Sequence, residues 1–285
     1  MDKSFRELFD ESGALVEKRA GKAAFDSMYS AEELGHPQYQ ALSFEATTEA
    51  TGVVMFLDVR GFTRLSLELE NDELVRILQR LTAASVRSVR QFGGYIVEFT
   101  GDGVMAYFET ANSAFSALHT ASFLMAGVRD VVNPALKRDR DTGVKVAIGM
   151  EYGQVLWSRV GIGGISQAKP ISEVTFIAGK LSTRKYAQPW ECKVGQQLAV
   201  AIPDEFKTRA AGYSYGDSTY SIFDFDWNQF AQNENYNLVA LRERVSAKAL
   251  SPRARTIATG GAPAVVLGRN ATPDPPRPPR SRQVG

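Results

Sequence analysis

The stretch that most narrows the choice of fold is residues 93–108. After Gly93-Gly94 come two short runs, Tyr95-Ile96-Val97-Glu98-Phe99 and Val104-Met105-Ala106-Tyr107-Phe108, with Thr100-Gly101-Asp102-Gly103 between them. Two such apolar runs flanking a Gly-Asp turn predict a β-hairpin. The preceding residues 71–92 carry apolar side chains at i, i+3 and i+4, with Asn71 as the N-cap candidate and Gly93-Gly94 as the stop. That spacing predicts an amphipathic helix. Val53-Val54-Met55-Phe56-Leu57 is a continuous apolar run, as a buried central strand requires. A second helix is expected over about 110–132 and a further strand from Val144 to Met150. Strand, helix, two strands, helix, strand is the split βαβ order of ferredoxin-like and polymerase-palm domains, an α+β class.

Around this core three regions are expected: a helical N-terminal extension over 1–50, the domain over 51–230, and a C-terminal extension over 231–285. In the first, Phe5, Leu8, Phe9, Leu15 and Val16 recur at helical spacing among charges, which fits either a lever acting on the domain or plain packing. From about 246 the chain turns to Ala, Arg, Gly and Pro without apolar periodicity, so disorder is expected there. The formal charge of +1 gives no global pull toward nucleic acid or an anionic membrane. No apolar stretch approaches the ~20 residues of a spanning helix, and the N-terminus has no secretory h-region. A single cysteine, Cys192, excludes an internal disulfide framework and reads as a small buried hydrophobe. The expected location is the cytoplasm.

The chemistry rests on two acidic residues at strand ends. Asp58 follows the first strand, and Asp102 sits in the hairpin turn. In a split βαβ sheet the first strand lies beside that hairpin, so the two carboxylates would meet at one edge. Paired carboxylates with backbone carbonyls suit hard cations such as Mg²⁺ or Mn²⁺. Two such ions can activate an attacking oxygen and hold a triphosphate in line. Arg60-Gly61-Phe62-Thr63 precedes a helix, where free backbone N–H groups would cradle phosphate. Taken singly, an Asp after a strand is commonly a helix cap, and Gly-Asp-Gly commonly only a turn.

Phe56-Leu57-Asp58-Val59-Arg60-Gly61-Phe62-Thr63 resembles the first metal motif of the class III nucleotidyl cyclases. Residues 93–108 resemble the second, and Val146-Ala147-Ile148-Gly149-Met150-Glu151-Tyr152-Gly153-Gln154-Val155 resembles the strand and turn that follow. The resemblance runs over roughly 50–225. It implies the class III cyclase fold, a βαββαβ core with additional strands, in a head-to-tail homodimer with shared active sites. It further implies two Mn²⁺ or Mg²⁺ ions per site held by Asp58, Asp102 and the Val59 carbonyl, with Phe56, Arg60, Gly61, Phe62 and Thr63 around the nucleotide. The 3′-hydroxyl would attack the α-phosphate and release pyrophosphate.

Several positions depart from the family pattern. Adenylate cyclases usually carry Lys four residues before the second metal Asp and guanylate cyclases Glu; here it is Glu98. The second base-reading position falls on Lys169, and the pair Glu98–Lys169 matches neither purine pattern. The family's helical Asn and Arg become Phe176 and Lys180, with Arg184 one turn further and all three expected on one helical face. Lys180 or Arg184 would neutralise charge building on the α-phosphate, and Phe176 would narrow the pocket or stack on a base. This set resembles the Pycsar-type pyrimidine cyclases of bacterial anti-phage signalling. That implies a UTP substrate, with CTP next, a cyclic UMP or CMP product and a separate effector. An adenylate or guanylate cyclase, and a degenerate cyclase-like nucleotide sensor, are the alternatives.

Overall fold

The computed structural model describes Glu7 and residues 35–232, apart from 110, 139–141, 163–164, 211 and 216–217. Of the helical extension expected over 1–50, Glu7 and 35–50 are described, and residues 35–50 hold a four-residue helix, Pro37–Gln40, and the start of the first strand at Thr47. The rest of it, like the disorder expected from 246, lies outside the described residues.

Strand β1 (Thr47–Val59) is longer than its apolar run and occupies the middle of the sheet. It pairs antiparallel with β3 (Gly103–Phe108) on one side and with β4 (Val146–Ile162) on the other. β2 (Tyr95–Phe99) completes the hairpin with β3. The described residues form an eight-stranded mixed sheet in the order β2-β3-β1-β4-β6-β10-β7, with β5 (Ile165–Ile171) added to β4. Strand β6 (Cys192–Gly195) runs parallel to β4; β7 (Lys207–Arg209) and β10 (Ile222–Phe225) extend the edge, and β8 (Tyr213–Tyr215) with β9 (Ser218–Tyr220) make a separate ribbon.

Period-two alternation along β1 separates two cores. Val53, Met55, Leu57 and Val59 face one way, into the core shared with the long helices; Val54 and Phe56 face the other, with Val97, Met105, Tyr107 and Trp157. After a four-residue helix, α1 (Pro37–Gln40), and a short one, α2 (Phe62–Glu68), comes α3 (Asn71–Gln91). Asn71 does not cap α3: Glu70 takes that place with extended backbone and no side-chain cap bond, and Asn71 is already helical. Asp72 and Glu73 put negative charge in the first turn instead, opposite the positive end of the dipole. The helix expected over 110–132 is α4 (Ser113–Gly127), which widens into a π turn (Val128–Val132) and continues as α5 (Asn133–Arg138). The wide turn ends beside Pro134, which has no amide hydrogen for the ladder.

On the opposite face lies α6 (Glu173–Leu181), started by Ser172, whose Oγ accepts from the Thr175 amide at 3.3 Å. Gly149 of β4 lets α6 sit hard on the sheet: a β-carbon there would lie 2.3 Å from the Ala178 carbonyl oxygen and 2.4 Å from the Ser182 nitrogen. Helix α7 (Gln196–Ala201) follows β6. Cys192 is buried and free, and burial pushes its thiol pKa up, as a small core residue should behave. Among the described residues no helix is long and apolar enough to cross a membrane.

Candidate active site

Asp58 stands last among the residues of β1 that point toward α6, after Val54 and Phe56. Across the ladder it is paired with Gly103, the neighbour of Asp102. Gly103 is what permits that seating: a β-carbon would come within 2.2 Å of the Leu57 carbonyl oxygen. Gly101, at φ 86°, closes the turn that carries Asp102. The two carboxylates are close enough to act on each other. Burial pushes the Asp58 pKa up to about 6, Asp102 adds to the rise, and Arg60 opposes it.

Oxygen donors of this kind fit a small hard cation and not a soft one. Among the described residues no group of three or more His, Cys, Asp and Glu is placed to hold a metal. A cation here would complete its shell from backbone carbonyls, water and substrate phosphate, as Mg²⁺ habitually does.

The neighbouring loop is arranged differently from the expected phosphate cradle. The Arg60 amide is not free, since it donates to the Lys145 carbonyl at 2.7 Å. Its guanidinium is buried rather than offered to solvent: Nη1 lies 2.5 Å from Asp58 Oδ2, and Nη2 donates to the Ser182 carbonyl. Gly61 adopts a left-handed conformation as the N-cap of α2, whose seven residues leave a short helix end. Phe62 packs on the core, while Gly61 and Thr63 are exposed. Val59 is buried, its side chain directed into the core opposite the site.

The two base-reading candidates meet each other. Lys169 Nζ lies 2.7 Å from Glu98 Oε2. Strand β5 is hydrogen-bonded to β4, yet it also reaches β2 through Gln167, whose amide donates to the Val97 carbonyl at 2.5 Å. Val97 sits where the β2–β3 register slips between Ile96 and Glu98, and such a bulge re-aims the following side chain. Gln167 was invisible in the sequence because nothing local signals that β5 folds back to β2.

Helix α6 supplies the rest. The Phe56 ring lies against Gly179, and Phe176 projects outward at 66 % exposure. Lys180 is also exposed. Arg184 does not share their helical face. The helix stops at Leu181 with Ser182 as its C-cap, and the Ser182 and Thr183 hydroxyls turn back onto the Gly179 and Lys180 carbonyls. Arg184 follows in an exposed turn, close enough to Arg60 of its own chain for the two cations to repel. Exposed apolar side chains flank this face on β4, β5 and α6, with Ile162 at 68 % and Ile165 at 77 % at the tip of the β4–β5 arm.

One buried carboxylate carried no sequence signal of its own. Glu151, 3 % exposed, accepts the Tyr152 and Leu198 amides at 2.8 and 2.9 Å and so anchors the start of α7. Burial pushes its pKa up to about 7.

Residues 44–166 match the adenylate and guanylate cyclase catalytic domain family. A cytidylate cyclase of Escherichia coli is 27% identical over 51% of this chain and 34% of its own length. A uridylate cyclase of Rhodovulum sp. (strain MB263) is 29% identical over 47% of this chain and 58% of its own. The chain therefore spans only part of the relatives it matches. Among solved structures, the adenylyl cyclase CyaB from P. aeruginosa superposes with a TM-score of 0.58 at 20% identity, covering 63% of this chain and 95% of that one. The matched stretch holds Asp58, Glu98 and Asp102 but ends before Lys169 and α6. Over residues 44–166 the chain is thus similar to the class III nucleotidyl cyclase catalytic domain, and its fold is that of the solved cyclases.

Proposed function

We propose that this chain is a divalent-metal-dependent nucleotidyl cyclase acting on a pyrimidine nucleoside triphosphate. UTP is favoured over CTP, and the product is the 3′,5′-cyclic monophosphate with pyrophosphate. The observation that carries the cyclase reading is the register of Asp58 opposite Gly103, which brings one carboxylate from the end of β1 and one from the β2–β3 turn to the same end of the sheet. Asp58, Asp102 and the Val59 carbonyl would hold the ions, which when bound supply a Lewis acid for the 3′-hydroxyl and counter-charge for the triphosphate. Phe56 and the loop 61–63 would line the nucleotide, and Lys180 or Arg184 would meet the charge developing on the α-phosphate.

The Glu98–Lys169 pair sets one acceptor beside one donor, an edge that guanine and adenine meet in the same two orders as uracil and cytosine. It is therefore the pair's departure from both purine patterns that supports a pyrimidine. Uracil offers its N3–H next to the O4 acceptor; cytosine offers its N4 amino group next to the N3 acceptor. Donor and acceptor thus exchange places along the same edge. If Lys169 faces C4 the pair suits uracil, and if Glu98 faces C4 it suits cytosine. The relatives named cytidylate and uridylate cyclase support the pyrimidine class.

The exposed apolar face on β4, β5 and α6 supports a homodimer in which Lys180 reaches the partner's site. The Pycsar-type resemblance supports a second-messenger role in anti-phage defence, read by a separate effector. The deciding experiment is incubation of the purified chain with ATP, GTP, CTP and UTP separately, with Mn²⁺, and identification of products by mass. Cyclic UMP or CMP above the purine products is expected, and Asp58→Ala or Asp102→Ala should leave less than about a tenth of the turnover. Exclusive purine cyclisation would refute the pyrimidine reading, and binding without turnover would favour a nucleotide sensor.

A further inference from the structure

Arg60 stands at the centre of this end of the sheet without a part in the proposed chemistry. Its side chain is 6 % exposed. The guanidinium bridges two anchors on different elements: the Asp58 carboxylate on β1 and the Ser182 carbonyl at the C-cap of α6. Its Nε is buried without a partner, so the fork is not saturated where it sits. A helix C-terminus presents unpaired carbonyls and the negative end of the dipole. Arg60 thus lies among four negative groups: Asp58, Asp102, Glu191 and the end of α6.

We propose that Arg60 is a positioning residue: it holds the Asp58 carboxylate while no cation is bound and ties it to the end of α6, so that a cation entering at Asp58 displaces it. The inference rests on the assignment of Asp58 as a cation ligand. The electrostatics force the exchange, because a guanidinium 2.5 Å from Oδ2 and a divalent ion on the same carboxylate repel strongly in a half-buried setting. Helix α6 carries Phe176 and Lys180, so release of its C-terminal tether passes cation occupancy to the face where base and phosphate groups would be met.

The test is Mn²⁺ binding to the nucleotide-free full chain by calorimetry, with hydrogen exchange of 173–184 followed alongside. Arg60→Gln should bind Mn²⁺ about tenfold more tightly than the parent, since no cation has to be expelled. Arg60→Lys, which keeps the charge but not the fork, should fall between the two. A merely structural role would weaken binding, not strengthen it. In the parent, Mn²⁺ should speed exchange at the end of α6; in Asp58→Asn the exchange should be fast without metal. Equal or weaker Mn²⁺ binding by Arg60→Gln overturns the proposal. So does an α6 indifferent both to Mn²⁺ and to Asp58→Asn. Should Arg60→Gln not fold, Arg60→Lys and Asp58→Asn carry the same decision. Undiminished Mn²⁺ binding by Asp58→Asn would instead sink the cation assignment itself.

Discussion

In the proposed reading Glu98 and Lys169 each present half of a hydrogen-bonding edge to the base, and the two act together. Exchanging them, as Glu98→Lys with Lys169→Glu, keeps the ion pair and reverses the order of donor and acceptor. The expected result is a change in the UTP-to-CTP preference of at least about tenfold, read from kcat/KM for each nucleotide. An unchanged ratio would remove the pair from base recognition. Asp58, Asp102, Glu98 and Gly103 were legible in sequence because each is fixed by a strand end or a tight turn, where spacing alone dictates position. Arg60 was not. A sequence shows a cation beside a carboxylate but not whether it points to solvent or, as here, turns inward to a helix end 122 residues away. Glu151 escaped for a related reason: its role depends on α7, with which it shares no local pattern. Its pKa, raised from 4.5 to about 7, has a definite sign. Between these values the folded chain keeps a proton that the unfolded chain releases, so this contribution is greatest below about pH 4.5 and is lost as pH rises toward 7. The loss amounts to roughly 3 kcal/mol at most. Asp58 acts in the same direction. Melting followed from pH 4.5 to 7.5 should show a shallower decline for Glu151→Gln than for the parent.

The strands and helices read from periodicity came out at nearly the expected places, because alternation along β1 and the helical stripe of α3 are each satisfied by a single buried face. The element that carries the site's outer wall is less forgiving. Helix α6 lies on β4 through Gly149, where backbone atoms leave no space for a methyl group. Gly149→Ala should therefore lower stability by roughly 3 kcal/mol, seen as a reduced melting temperature, and should also weaken nucleotide binding by lifting α6 from Phe56. The end of α6 was misjudged over Arg184 for a local reason: successive Ser182 and Thr183 hydroxyls satisfy the last carbonyls and terminate the helix before the next turn. Strand β5 could be aligned by motif but not placed in space, since its reach to β2 depends on the bulge at Val97 and on Gln167.

At the scale of the whole molecule, Lys180 and Arg184 are expected to separate by subunit. Lys180 faces outward from α6, whereas Arg184 stands near Arg60 of its own chain. Mixing Asp58→Ala protein with Lys180→Ala protein should regenerate one intact site per mixed dimer, to a maximum of roughly a quarter of parental activity for random pairing. Mixing Asp58→Ala with Arg184→Ala should restore none. Equal rescue in both mixtures would place both cations across the interface. The ion pair between Lys169 and Glu98 has one more consequence. Its two members are already mated, so in the proposed reading a base would be met by an exchange of partners rather than by the filling of a vacancy. A nucleotide satisfying only one member would strand the other, which would guard a cyclase built this way against bases that fit by half.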